Sequence, residues 1–173
     1  VDAARGAVRD DDGATVVLTG MRREQVSGLL DLRDGAPIDL YATPAVFEDL
    51  TSALPLLPVL EHYCGVHWHV VPVAGDRRVA SFHIDALPSL EFSAIAIDVP
   101  APPYSAHSGQ PVVGDTIALT VRDLRTGQSV FCAPGLASIG PIEFDWMRQA
   151  DCLLVDEPAV LDPTGADPGD AWM

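Results

Sequence analysis

The sequence predicts an α/β domain, and three features carry that prediction. Residues 129–156 read as strand, tight turn, helix and strand. Residues 14–42 repeat a strand, helix, strand order, which implies a right-handed parallel crossover. Between residues 66 and 123, four further segments have strand composition and are joined mostly by short turns.

Taken in order, residues 1–13 are polar, carry no hydrophobic period and are expected to be a flexible N-terminal segment. Residues 14–19 form a compact β-branched strand. Val26, Leu29, Leu30 and Leu32 then recur at helical spacing, and Gly35-Ala-Pro37 supplies the stop. Residues 38–42 are the next strand. Thr43 is a natural N-cap with Pro44 in the first helical position, so a helix should run through Phe47 to about Ser52. Pro55 and Pro58 interrupt the following apolar run, leaving a short helical piece over 59–63.

Strands are expected over 66–73, 79–84, 90–97 and 116–123, with Ile117, Leu119 and Val121 facing one way along the last. Arg125-Thr126-Gly127 reads as a hairpin loop leading to a strand that starts at Ser129 and stops at Pro134-Gly135. Gly140 as N-cap and Pro141 at the first position open a helix whose Ile142, Trp146, Met147 and Ala150 share a sheet-covering face. Cys152-Leu-Leu-Val155 has the composition of a strand buried on both faces of a parallel sheet. Residues 14–157 are therefore one domain, and 158–173 a disordered acidic tail.

With 173 residues the chain has room for one sizeable core. Its net charge of -15 comes from 25 acidic residues against 10 arginines, with no lysine, which disfavours nucleic acid and anionic membranes as partners. Three cysteines at wide spacing, Cys64, Cys132 and Cys152, read as reduced thiols of a cytoplasmic protein. No transmembrane run or signal peptide is visible, and a first residue of Val1 suits a processed chain or a fragment.

Candidate chemistry is sparse. Asp156 stands at the carboxyl end of its strand, where open α/β sheets bind ligands, although capping and loop aspartates are common there too. His107 lies with Tyr104 and Ser105 in a Pro-, Ser- and Gly-rich loop over 99–114, too long for a simple turn and a candidate functional loop. His67 and His69 project to one face of a strand, near His62 and Cys64, at a spacing that matches no standard structural zinc site and is more often that of ordinary strand histidines. No phosphate loop, CxxC pair or serine elbow occurs.

Several strings, in order, resemble the PqqB family of pyrroloquinoline quinone (PQQ) biosynthesis, within the metallo-β-lactamase superfamily. They are Ser27-Gly-Leu-Leu30, Asp39-Leu-Tyr-Ala-Thr43, Asp49-Leu-Thr-Ser52 with Pro55-Leu56, Ala101-Pro-Pro-Tyr-Ser-Ala-His107, Gly114-Asp115, Asp123-Leu-Arg-Thr-Gly127, Ala133-Pro-Gly-Leu136 and Ala150-Asp-Cys-Leu-Leu-Val-Asp156. The resemblance covers most of residues 15–157 and implies a partial αββα sandwich.

It also implies a part in making PQQ, either as a metal-dependent hydroxylase of a tyrosine-containing, peptide-derived intermediate or in moving PQQ or its precursor to the periplasm. The alternative is a degenerate, non-catalytic sandwich that binds a ligand or partner. By resemblance Asp156, His107 and Tyr104 are the candidate catalytic residues, and Asp156, His107 and Glu24 the candidate ligands of iron or zinc. Where the family carries Asp-His, this chain has Glu24-Gln25, which removes a nitrogen donor. Metal binding is therefore expected to be weak or absent, Asp156, His107 and Glu24-Gln25 to converge on one cleft, and uncovered strand edges to favour homo-oligomers.

Overall fold

The computed structural model describes residues 7–10, 13–136 and 138–156. Two sheets face each other with helices outside both. The first has the order β1 (Ala7–Asp10), β2 (Gly13–Val17), β3 (Ile38–Ala42), β4 (Val66–Val70). The second runs β5 (Val79–Phe82), β6 (Leu90–Ala96), β7 (Ile117–Asp123), β8 (Ser129–Ala133), β9 (Cys152–Val155). Pairing of β2 with β3, β3 with β4 and β8 with β9 is parallel; the other pairs are antiparallel.

Side-chain alternation divides the apolar residues into three layers. Along β3, Ile38, Leu40 and Ala42 point outward under α1 (Arg23–Val26), α2 (Pro44–Glu48) and α3 (Leu56–Tyr63), against Val26, Val46 and Leu60. Tyr41, between them, points inward to Phe82, Phe92, Ile117 and Leu119 of the facing sheet. On β6, Ala94 and Ala96 face that inner layer, while Ile95 turns to the third layer, where Phe131, Ala118 and Ala133 meet Trp146 and Met147 of α4 (Pro141–Gln149). This is a helix, sheet, sheet, helix sandwich, as expected. Ile117, Leu119 and Val121 share the inner face, and Ala118 is fully buried on the other.

Four expectations need correction. Residues 7–10, within the segment expected to lack regular structure, pair with β2 as β1. The helix after β2 is α-helical only to Val26 and tightens to a 3₁₀ turn over Ser27–Leu32, and α2 widens to a π turn over Asp49–Ala53. Strand β9 is exposed throughout, because among the described residues it lies at the sheet edge with β8 as its one neighbour, and α4 packs over β6, β7 and β8. Ile142 is half exposed at the start of α4, whereas Trp146, Met147 and Ala150 pack on the sheet as expected. The tail expected over 158–173 lies outside the described residues.

Candidate functional site

At one end of the sandwich the loop after β2 approaches the ends of β8 and β9. The sheets also join nearby: the Ile117 N–H donates to the Thr19 carbonyl at 2.8 Å, and Gly20 bridges to Thr116. Beside this junction opens a cleft of about 530 Å³ lined by Arg22, Glu24, Tyr104, Gly135, Leu136 and Asp156, with Arg23, Val99, Pro100 and Pro102 completing its wall. Asp156, Glu24 and Tyr104 are thus brought together.

The carboxylate of Asp156 is already engaged. Arg22 Nη1 donates to its Oδ2 at 3.0 Å, and the Gly135 N–H donates to the same oxygen at 2.6 Å. Glu24 is exposed, with Oε2 3.8 Å from Arg22 Nε. Gln25 turns away from the cleft: its Oε1 accepts from the Arg22 N–H at 3.1 Å and its Nε2 donates to Thr19 Oγ1 at 2.8 Å. Tyr104 gives its hydroxyl proton to the Met21 carbonyl at 2.5 Å, and burial pushes that hydroxyl above its ordinary pKa against the opposing charge of Arg23. Its ring forms a wall while its oxygen tethers the long loop. Burial likewise raises the Cys132 thiol, with the Asp156 charge adding to the effect.

His107 does not join this group and is not among the residues lining the cleft. Its Nδ1 lies 2.7 Å from Asp115 Oδ1 and its Nε2 3.4 Å from Glu48 Oε2, with the side chain only 15% exposed. Burial, the largest influence, would lower its pKa; the Asp115 hydrogen bond and charge, with Asp49 and Glu48, outweigh it and hold the imidazole above its ordinary value. The expected convergence of His107 with Asp156 is corrected for a physical reason: carboxylates on α2 and on its own loop hold the ring elsewhere. The string around it is a fastening. Buried Asp49 accepts from Ser105 Oγ at 2.6 Å and the Ala106 N–H at 2.8 Å, and Ser105 Oγ accepts from the His107 N–H at 3.0 Å.

The strand histidines also have a local partner. His69 Nε2 is 2.7 Å and His67 Nδ1 3.6 Å from Asp39 Oδ1, and Tyr41 stacks on His69. Among the described residues no group of three or more His, Cys, Asp or Glu side chains could hold a metal ion. The donor set in the cleft does not fit iron or zinc: one carboxylate has two donors on one oxygen, the other is exposed, and the amide replacing an imidazole is spent on Thr19 and Arg22. Arg22 was not singled out by sequence reasoning. Its signal was modest, a pair of arginines directly before Glu24-Gln25 in a chain with ten basic residues.

Comparisons with known proteins agree with this architecture. The family model described as Beta-lactamase superfamily domain matches residues 3–168. Coenzyme PQQ synthesis protein B of Methylobacillus flagellatus is 42% identical over 151 residues, covering 87% of this chain and 48% of the relative. The Azotobacter vinelandii protein of that name gives the same identity and coverage, and that of Pseudomonas aeruginosa is 43% identical over 148 residues, covering 86% and 48%. The chain spans about half the length of these relatives. Zinc-bound PqqB from Methylobacterium extorquens superposes with a TM-score of 0.64 at 22% identity, covering 82% of this chain and 45% of that one. Human tRNase Z, short form, gives 0.52 at 10% identity, covering 85% and 68%. No helix among the described residues is long and apolar enough to cross a membrane. The shared model and the sandwich lead to one assignment, with the PQQ synthesis B proteins as similar relatives over about half of their length: the chain belongs to the beta-lactamase superfamily.

Proposed function

We propose that this chain is a ligand-binding sandwich of PQQ biosynthesis that takes a peptide-derived, tyrosine-containing intermediate, or the quinone itself, in the cleft at the end of its sandwich. The observation that carries the reading is the 42% identity to coenzyme PQQ synthesis B proteins across 87% of the chain. The cleft offers suitable contacts: Val99, Pro100, Pro102, Tyr104 and Leu136 form apolar wall, and Arg22 and Arg23 bring positive charge into a strongly acidic chain. Binding or hand-over suits these residues better than metal-dependent hydroxylation, since the donors among the described residues are short of a metal site. The hydroxylase reading draws support from the zinc-bound relative of the same fold.

Calorimetric titration with a Glu-Tyr dipeptide and with PQQ tests the proposal. Saturable 1:1 binding of either is expected. Asp156→Asn should weaken it about tenfold by loosening the Arg22 and Gly135 contacts that hold the cleft in shape, more than substitution of His62, His67 or His69, which line no part of the cleft. Absence of binding by both compounds would overturn the reading.

A further inference from the structure

Two of the positions that the family resemblance assigns to metal, Glu24 and Asp156, come from opposite sides of the cleft, and a cation already stands between them. That cation is the Arg22 guanidinium, with Nη1 3.0 Å from Asp156 Oδ2 and Nε 3.8 Å from Glu24 Oε2. Two residues, Gln25 and Gly135, prepare its position. Gln25, at the place of the family's histidine, accepts the Arg22 backbone N–H and is itself anchored to Thr19. Gly135, at φ +82°, gives its N–H to the same Asp156 oxygen. A Cβ at position 135 would meet Arg22 Nη1, so the guanidinium as seated here lies in space that the glycine leaves open.

We propose that Arg22 is an internal cation that takes the place of the metal ion in this chain, holding the loop after β2 to the ends of β8 and β9. A guanidinium is charged at every physiological pH and carries several donors in a fixed plane, so it can bridge carboxylates on two segments as a metal would. It offers no exchangeable coordination position. The two departures from the family pattern then belong to one arrangement: the amide of Gln25 orients the backbone of the residue whose side chain supplies the charge. A divalent ion entering here would have to displace Arg22 and would find two carboxylates and no imidazole. The inference rests on family membership and not on which ligand the cleft takes.

Zinc chloride titrated into metal-free protein tests it without any organic ligand. Both proteins carry His67→Asn and His69→Asn, so that the exposed pair at Asp39 adds no heat. With native Arg22, no saturable zinc site and no rise in Tm are expected. With Arg22→Gln, the freed carboxylates should bind zinc at least about tenfold more tightly, and zinc should raise Tm in that variant alone. Equal zinc affinity in the two proteins, or one tight equivalent in the protein with native Arg22, overturns the proposal. If Arg22→Gln does not fold, the titration of the protein with native Arg22 decides: one equivalent bound tightly overturns the proposal, and no saturable site supports it.

Discussion

His107 has a carboxylate oxygen facing each ring nitrogen, Asp115 on one side and Glu48 on the other, with the buried Asp49 close by. Its folded pKa lies above the unfolded value, so its contribution to stability is complete below the unfolded pKa near 6.5 and is lost as pH rises through the folded one. The long loop should therefore be held most tightly under mildly acidic conditions. We expect the Tm difference between the native protein and His107→Gln to be largest near pH ~6 and to shrink as pH rises toward ~8.5. A difference that stays constant across this range would show that the ring acts by packing alone.

At the scale of elements, the loop between β6 and β7 is held at four places: Tyr104 to Met21, Ser105 and Ala106 to Asp49, His107 to Glu48, and Gly114 to Thr43. Thr43 is fully buried and serves two elements, accepting from the Val46 N–H as the cap of α2 and donating to the Gly114 carbonyl at 2.6 Å. Gly114 has φ +101°, and a Cβ there would strike the Val73 carbonyl oxygen. Gly114→Ala should cost roughly 2–4 kcal/mol through left-handed strain and that clash, measured by urea denaturation. Gly109→Ala, with open space around it, should cost only the strain of its positive φ and lie well below that figure. The cap at Thr43 and Pro44 was readable because capping uses neighbouring residues. The fastening of Ser105 and His107 was not, since Asp49 lies 56 positions from Ser105.

For the whole molecule, β9 is the weak boundary. Leu153, Leu154 and Val155 are 43%, 54% and 39% exposed, and Ile142 and Phe144 of α4 are more than half exposed. Among the described residues nothing pairs with the outer edge of β9. An apolar edge strand is a template for pairing, whereas a net charge of -15 keeps copies apart until salt screens it. We therefore expect self-association that grows with ionic strength and falls in Leu154→Glu, followed by light scattering. A monomer at both low and high salt would refute this.

Local sequence determined the positions of most strands and helices, because alternation, proline placement and capping act within a few residues. It also grouped Ile117, Leu119 and Val121 of β7 on one face, since a strand's period of two assigns its faces. Tertiary structure alone decided the burial of β9 and the partners of the candidate site residues. A run such as Cys152-Leu-Leu-Val155 has the same composition at a sheet centre or an edge, and only the strand order makes it an edge. Asp156 and Tyr104 reach one cleft while His107 does not, because the fold sets Arg22, 134 positions away in sequence, against Asp156 and sets Asp115 and Glu48 against His107. Charge partners so distant in sequence leave no local pattern.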